Sequence, residues 1–246
     1  MGFFRNFASR APEGPQETER TVDLNGRRVD IVLRRHPRAR RIKLTVDASQ
    51  GRPVLTLPPG VPEREALRFL DRNAGWTLKA LDRLPDRLDF APDGIVPYRG
   101  EDHRIVHNPD ARGLVRAEDG TLIVTGGAEH LARRLTDFLK KQARTEIRPL
   151  ALERAAALGR KPGRISIRDQ RTRWGSCAAN GDLSFSWRLI LAPPEILDYV
   201  VSHEVAHLVH MDHSPAFWRA VASVYPEYRA ARDWLGTEGA RLHRIG

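Results

Sequence analysis

Hydrophobic and polar residues alternate along the first part of the chain. Two such runs flank Asn25-Gly26, and Asn-Gly in this position is the strongest short signal for a β-hairpin turn. Pro58-Pro59-Gly60 ends the alternation. The pattern predicts a β-meander whose strands cover residues 21–24, 28–33, 42–46 and 54–57.

Helical spacing of apolar residues follows the predicted meander. Pro62 is suited to the first turn of a helix, which we expect to run to about Leu84. We expect Pro149 to kink or split a second, longer helix, because proline removes a backbone hydrogen bond. The other predicted elements are a β region over 95–125, the long helix over 129–158, short strands near 165–167 and 183–185, and helix after 193.

These elements predict an α+β protein with three segments. Residues 1–20 are polar and contain little apolar patterning, so we expect a flexible tail. Residues 21–127 form an N-terminal β-rich region with one helix, and residues 128–246 form a separate domain.

Composition excludes several classes of protein. Apolar residues make up 41% of the 246 residues, which is enough for a core, and charged residues make up 29%. No run approaches the roughly 18–20 apolar residues that a membrane helix needs, so we expect no membrane span. The single cysteine, Cys177, excludes an internal disulfide framework. We therefore expect a cytoplasmic protein.

Positive charge is concentrated in the N-terminal half. The chain has 41 Lys and Arg residues against 31 Asp and Glu residues, and the stretch from Arg27 to Lys43 holds one acidic residue, Asp30. A basic face of this kind attracts nucleic acid, which is a possible partner. The alternative is a solvated surface, which the absence of aromatic residues from this stretch favours.

Residues His203 to His207 have the pattern His-Glu-x-x-His. On a helix, the two histidines lie about 40° apart and one turn apart, so both imidazoles reach one metal ion. Glu204 points about 100° away from His203. That position suits a general base that takes a proton from water at the metal.

A catalytic zinc site normally has three protein ligands and one open position. His210 lies on the same helical face but about 10 Å along the axis from His203, which is too far on a straight helix. Ser214-Pro215 is typical of a new helix start, so we expect the chain to reverse between about Val209 and His213. Both histidines are candidates for the third ligand, and His213 is favoured.

The C-terminal half resembles the YgjP-like metallopeptidase family, a relative of the SprT-like zinc proteases. The similarity is carried by residues 172–177, 187–189, 198–201, 203–208, 213–214 and 217–218. The resemblance implies a zincin-like catalytic domain, with a small sheet packed on the active-site helix. It also implies zinc bound by His203, His207 and His213, with Glu204 as general base.

The predicted function is a zinc-dependent hydrolase, most simply a metallopeptidase acting on a peptide or protein. We expect Arg173, Trp174 and Gly175 to contribute to substrate binding, because the edge strand in this part of a zincin binds peptide backbone. A metal-dependent nucleotide phosphoanhydride hydrolase is an alternative, although the chain lacks a phosphate-binding glycine-rich loop. The second alternative is a non-enzymatic nucleic-acid-binding module with an incidental zinc site.

Overall fold

A computed structural model describes residues 16–170 and 173–246. Its contacts divide the chain into two compact units, with the boundary between Leu84 and Pro85. Most of the predicted N-terminal tail, residues 1–15, lies outside the described residues. Residues 16–20 belong to the first strand, so that part of the tail prediction is wrong.

The first unit contains a four-stranded sheet that is not a meander. Its strands are β1 (Gln16–Leu24), β2 (Arg27–Arg35), β3 (Lys43–Asp47) and β4 (Arg52–Leu57). Their order is β1-β2-β4-β3, and β4 runs parallel to β2. The two strands richest in buried apolar residues thus take the centre, and the half-buried β3 takes an edge.

The Asn25-Gly26 turn is confirmed. Both residues have positive φ, 54° and 85°, and Leu24 pairs with Arg27 across a two-residue loop. Two helices follow the sheet where one was predicted: α1 (Glu63–Arg72) and α2 (Ala74–Asp82). Asn73 separates them, and its side-chain amide donates to the carbonyl of Phe69 at 2.7 Å. The amide competes with the helical backbone pattern there.

Several arginines of the predicted basic face are engaged within this unit. Arg34 forms an ion pair with Glu17 at 2.7 Å, and Arg27 forms one with Asp82 at 2.5 Å. The arginines in the loop between β2 and β3 are exposed, namely Arg38, Arg40 and Arg41. Nucleic-acid binding through this face stays a prediction.

The second unit begins with another four-stranded sheet. It consists of β5 (Ile95–Tyr98), β6 (Glu101–His107), β7 (Val115–Glu118) and β8 (Thr121–Val124). The order β5-β6-β8-β7 and the strand directions repeat those of the first sheet. The hairpin turn at Arg99-Gly100 approaches Pro193 so closely that a Cβ on Gly100 would lie 2.8 Å from the proline ring.

A three-stranded sheet and four helices complete the second unit. The strands are β9 (Ile165–Arg168), β10 (Gly175–Cys177) and β11 (Leu183–Ser186), in the order β10-β11-β9. The helices are α3 (Leu131–Ala157), α4 (Pro194–Ala206), α5 (Pro215–Val224) and α6 (Tyr228–His243). Short 3₁₀ helices cover Ala128–His130 and Trp187–Leu191. The architecture is a mixed α+β fold with small sheets.

The boundary between the units lies earlier than the predicted one at 127/128. Buried residues of the second sheet, such as Val96 and Leu122, share one core with Leu135 and Leu139 of α3. The alternating pattern identified these strands but carried no information on which core they join.

Helix α3 is continuous through Pro149, so of the predicted kink or split, the split is wrong. A line of buried residues along one face holds this helix in the core, including Ala143, Ile147 and Ala151. The helix has the length to cross a membrane, but it is strongly charged. Within residues 16–170 and 173–246, no helix combines the length and apolarity that a membrane span requires.

Candidate metal centre

Helix α4 carries the His-Glu-x-x-His pattern on a buried framework. Pro194 occupies its first turn, which agrees with the helix predicted after residue 193, and the apolar side chains of α4 join the core of the second unit. Arg154 of α3 donates two hydrogen bonds to Asp198, at 3.0 and 2.6 Å. Ser202 donates a further one at 3.1 Å. The ion pair holds α4 against α3 just before the histidines, and the Ser202 bond, which lies within α4, orients Asp198.

Three histidines come together at the end of α4. Nitrogen atoms of His203, His207 and His213 lie within 4.8 Å of one another, and among the described residues no other such group could hold a metal ion. The Nε2 atoms of His203 and His213 are 3.2 Å apart. Two Zn–N bonds near 2.0–2.1 Å in tetrahedral geometry place their nitrogens about 3.4 Å apart. The donor set therefore fits an ion of this kind.

Helix α4 ends before the segment from about Val209 to His213 in which the sequence predicted a reversal of the chain. Helix α4 ends at Ala206, and the Nδ1 of His207 donates to the backbone carbonyl of His210 at 3.0 Å. This bond leaves the lone pair of His207 on Nε2, the tautomer that a metal ligand needs. His210 thus lies outside the three-histidine group, and its backbone orients one member. Ser214 caps α5 as predicted, accepting from Phe217 N at 3.4 Å.

Phe217 forms the floor of the three-histidine group. Its fully buried ring lies 4.9, 4.5 and 4.8 Å, between centroids, from those of His203, His207 and His213. The buried Nδ1 of His203 has no hydrogen-bond partner among the described residues. Aromatic packing therefore orients His203, whereas a hydrogen bond orients His207.

Trp218 supports the exposed member of the group. Its ring stacks on His213 at 6.0 Å and on Tyr228 at 5.2 Å. Arg232 lies 5.0 Å from the centre of the same ring. In the sequence, Phe217 and Trp218 contribute to the family resemblance, but nothing there indicates these contacts with the histidines.

Burial keeps the imidazoles of His203 and His207 neutral. It lowers the pKa of His203 to about 4, and the charges of His207, His213 and Arg232 act in the same direction. Burial also lowers the pKa of His207, although its bond to His210 opposes this. Neutral imidazole is the form that binds metal ions, so both groups are ready to bind at neutral pH.

Glu204 packs against β10. It is buried, and burial raises its pKa to about 7, while Arg173 and the backbone N–H of Cys177 hold it below what burial alone would produce. Gly175 makes room for the side chain: a Cβ there would lie 2.5 Å from Cγ of Glu204 and 2.7 Å from its Oε1. No residue larger than glycine leaves the carboxylate in this place.

A cleft of about 260 Å³ opens beside His203 and Glu204. Its other lining residues are Arg173, Trp174, Gly175, Tyr199, Val200 and Leu235. The three residues predicted to bind substrate thus all lie in this cleft. Trp174 also has a structural contact, because its ring stacks on the buried His243 at 4.1 Å.

Cys177 is not an activated nucleophile. Burial raises the pKa of its thiol, and the nearby charge of Glu204 raises it further. A thiolate is the reactive form of cysteine, so these surroundings keep the group inert. The chemistry of the site therefore lies with the histidines and Glu204.

The fold and the site define a mixed α+β protein with three clustered histidines, one of which lines a cleft together with a buried glutamate. The family model of the YgjP-like metallopeptidase domain matches residues 40–238, which is most of the chain. The chain therefore belongs to the YgjP-like metallopeptidase family, and the resemblance found in the sequence is confirmed. Membership implies a metal ion, which the three histidines could hold.

One solved structure is similar over part of the chain. The crystal structure of the metallopeptidase zymogen of Pyrococcus abyssi abylysin matches 42% of this chain and 93% of that chain, at 21% identity and a TM-score of 0.31. A TM-score of this size establishes no shared fold. No curated protein matches the chain.

Proposed function

We propose that this protein is a zinc-dependent peptidase that cleaves peptide bonds in a peptide or protein substrate. One observation carries the proposal: three histidine nitrogens fit a metal ion, and one of these histidines, His203, lines a cleft together with the buried Glu204. The arrangement supports a zincin-type site, with α4 as the active-site helix and the sheet β9–β11 beside it.

The donor set favours zinc. Three imidazoles and one open position are a recurrent catalytic zinc arrangement. His203, His207 and His213 would hold the ion, which when bound polarises the scissile carbonyl and lowers the pKa of water. The bond from His207 to the carbonyl of His210 would fix that ligand in its binding tautomer.

Glu204 would act as the general base. It would accept a proton from the attacking water and pass it to the leaving amine. A buried carboxyl with a pKa raised to about 7 exchanges protons readily at neutral pH, as both halves of this role require. Its burial also excludes bulk water from the proton transfer.

Strand β10 offers a place for the substrate backbone. Within the described residues it pairs only with β11, so its other edge would accept an extended peptide, apart from the backbone N–H of Cys177, which already interacts with Glu204. Because Gly175 of β10 contacts Glu204, a peptide bound along this edge lies next to the base. Arg173 and Trp174 would contact the same peptide.

A metal and activity survey tests the proposal. Untagged protein should contain about one zinc per chain, cleave an unfolded protein, lose this activity to a chelator and regain it with zinc. His130→Ala, which alters an exposed histidine outside the three-histidine group, should keep both metal and activity. Cleavage that survives complete metal removal would contradict the proposal. Hydrolysis of nucleoside triphosphates without any cleavage of peptides would favour the phosphoanhydride alternative.

Gly175→Ala tests the packing of the base. The added Cβ forces the Glu204 carboxylate to move, and a misplacement of about 1 Å at a catalytic group costs about 10²-fold in rate. Peptide hydrolysis should fall by about that factor while the metal content is unchanged. Gly236→Ala is the matched control, because nothing lies within 4 Å of its added Cβ. Wild-type activity in Gly175→Ala would mean that the position of Glu204 is unimportant.

A further inference from the structure

Two exposed arginines lie near the cleft of the metal centre. Arg173 lines the cleft, and its charge acts on Glu204. Arg232 lies on α6, and its charge acts on both His203 and Tyr199, which line the same cleft. The positive charges of two guanidinium groups, from two different segments of the fold, thus affect residues that line the cleft.

Helix α6 turns one face toward the cleft. Leu235 lines the cleft, and Gly239 lies so close to Trp174 that a Cβ would be 3.3 Å from the indole Nε1. Arg232 precedes these two residues by three and seven positions, which places all three on one helical face. The contact of Arg232 with the ring of Trp218 restricts the guanidinium to the end of that face nearest the three histidines.

Several other arginines of the same unit are held in ion pairs with carboxylates. Examples are the pairs Arg154–Asp198, Arg188–Asp169 and Arg99–Glu146. In the described parts of the chain, no carboxylate oxygen lies within 4.0 Å of a guanidinium nitrogen of Arg173 or Arg232. Their charges are therefore available to a ligand.

Tyr199 adds a third hydrogen-bond donor. It is 5% exposed and lines the cleft, and its hydroxyl makes no hydrogen bond within residues 16–170 and 173–246. Two acidic groups act on this tyrosine, the base Glu204 and the exposed Asp233. Around the cleft, donors therefore outnumber acceptors, which suits an acceptor-only group such as a carboxylate.

We propose that the cleft selects substrates that present a carboxylate close to the scissile bond, and that Arg232 and Arg173 recognise it. The carboxylate is either an acidic side chain or the C-terminal carboxylate of the substrate. This inference rests on the proposed peptidase function. It adds a substrate class, for which guanidinium is the matching donor because its fork binds two carboxylate oxygens.

Binding to metal-free protein tests the inference without requiring cleavage. Labelled peptides carry a single Glu or Gln at each position in turn, with an amidated C-terminus, and a parallel set compares free and amidated C-termini. Fluorescence anisotropy on chelator-treated protein measures Kd, and kcat/KM is measured with metal restored. In one of the two peptide sets, wild-type protein should bind the peptide that carries the carboxylate about tenfold or more tightly than its neutral counterpart. Added salt should weaken this preference, because both arginines are exposed.

The variants assign the preference to particular arginines. The carboxylate preference is the Kd of the neutral peptide divided by the Kd of the carboxylate peptide. Arg232→Gln should bring this ratio close to one, and Arg173→Gln should reduce it. Arg232→Lys keeps the charge but loses the fork and should retain part of the preference. Arg229→Gln is the matched control, because Arg229 lies one turn earlier on α6 over the ring of Tyr228, and its charge, unlike that of Arg232, does not act on His203 or Tyr199. Its preference should equal that of wild type.

Two outcomes would overturn the inference. One is equal affinity of wild-type protein for the carboxylate and neutral peptides at every position and at the C-terminus. The other is a preference that Arg232→Gln and Arg173→Gln both leave intact. A carboxylate preference in binding without any cleavage after metal is restored would support the inference and count against the peptidase function.

Discussion

Replacing Glu204 by Gln should lower peptide hydrolysis by about 10²–10⁴-fold while the protein keeps its fold and its metal. The substitution preserves side-chain volume and removes the basic carboxylate. Burial already disfavours the charge of this group, as its pKa of about 7 indicates, so a neutral amide should not weaken the fold. Metal content, thermal unfolding and kcat/KM measured on one preparation separate these effects.

Glu195→Gln is the matched control for this variant. Glu195 lies in the first turn of the same helix α4 and is exposed, away from the cleft. Its replacement should leave hydrolysis unchanged. Wild-type cleavage by a metal-loaded Glu204→Gln protein would show that Glu204 is not the base. Loss of metal together with activity would place Glu204 among the groups that maintain the metal site.

His213→Ala should weaken metal binding far more than His210→Ala. The first substitution removes one of three imidazole nitrogens that lie within 4.8 Å of one another. Loss of an outer partner of a metal ligand costs typically about 10–100-fold in affinity, and loss of a ligand should exceed that range. His210 contributes a backbone carbonyl to His207, which alanine retains. Its substitution should therefore have little effect on the metal.

Competition against a chelator of known affinity measures both variants. His203→Ala and His207→Ala should behave like His213→Ala, which provides an internal comparison within the three-histidine group. Equal losses for His210→Ala and His213→Ala, or a larger loss for His210→Ala, would mean that the turn after α4 does not bring His213 to the site.

Local signals in the sequence predicted local structure well. Asn25-Gly26 forms the expected hairpin turn, and Pro194 and Ser214-Pro215 begin the expected helices. In each case the conformation depends on residues within a few positions along the chain. Local signals did not predict the order of the strands in the sheet, because the pairing of β2 with β4 depends on which strands bury the most apolar surface.

The boundary between units was beyond local reasoning for a similar reason. The second sheet shows the same short alternating runs as the first, yet its buried residues join the core of α3. Periodicity reports which face of a strand is buried, whereas the partner of that face is chosen by packing between distant segments. The alternation therefore located the strands but did not show to which of the two units they belong.

Some features of the site also follow from local sequence, whereas others depend on contacts between distant segments. Helical spacing alone places His203 and His207 on one face with Glu204 beside them, because this geometry follows from 3.6 residues per turn. The remaining features join residues that are distant in the chain: Gly175 under Glu204, Phe217 under the three histidines, and Arg232 beside the cleft. Such contacts arise only when β10, α4, α5 and α6 pack together. The sequence by itself thus determined the chemistry of the motif, and the tertiary structure decided what surrounds it.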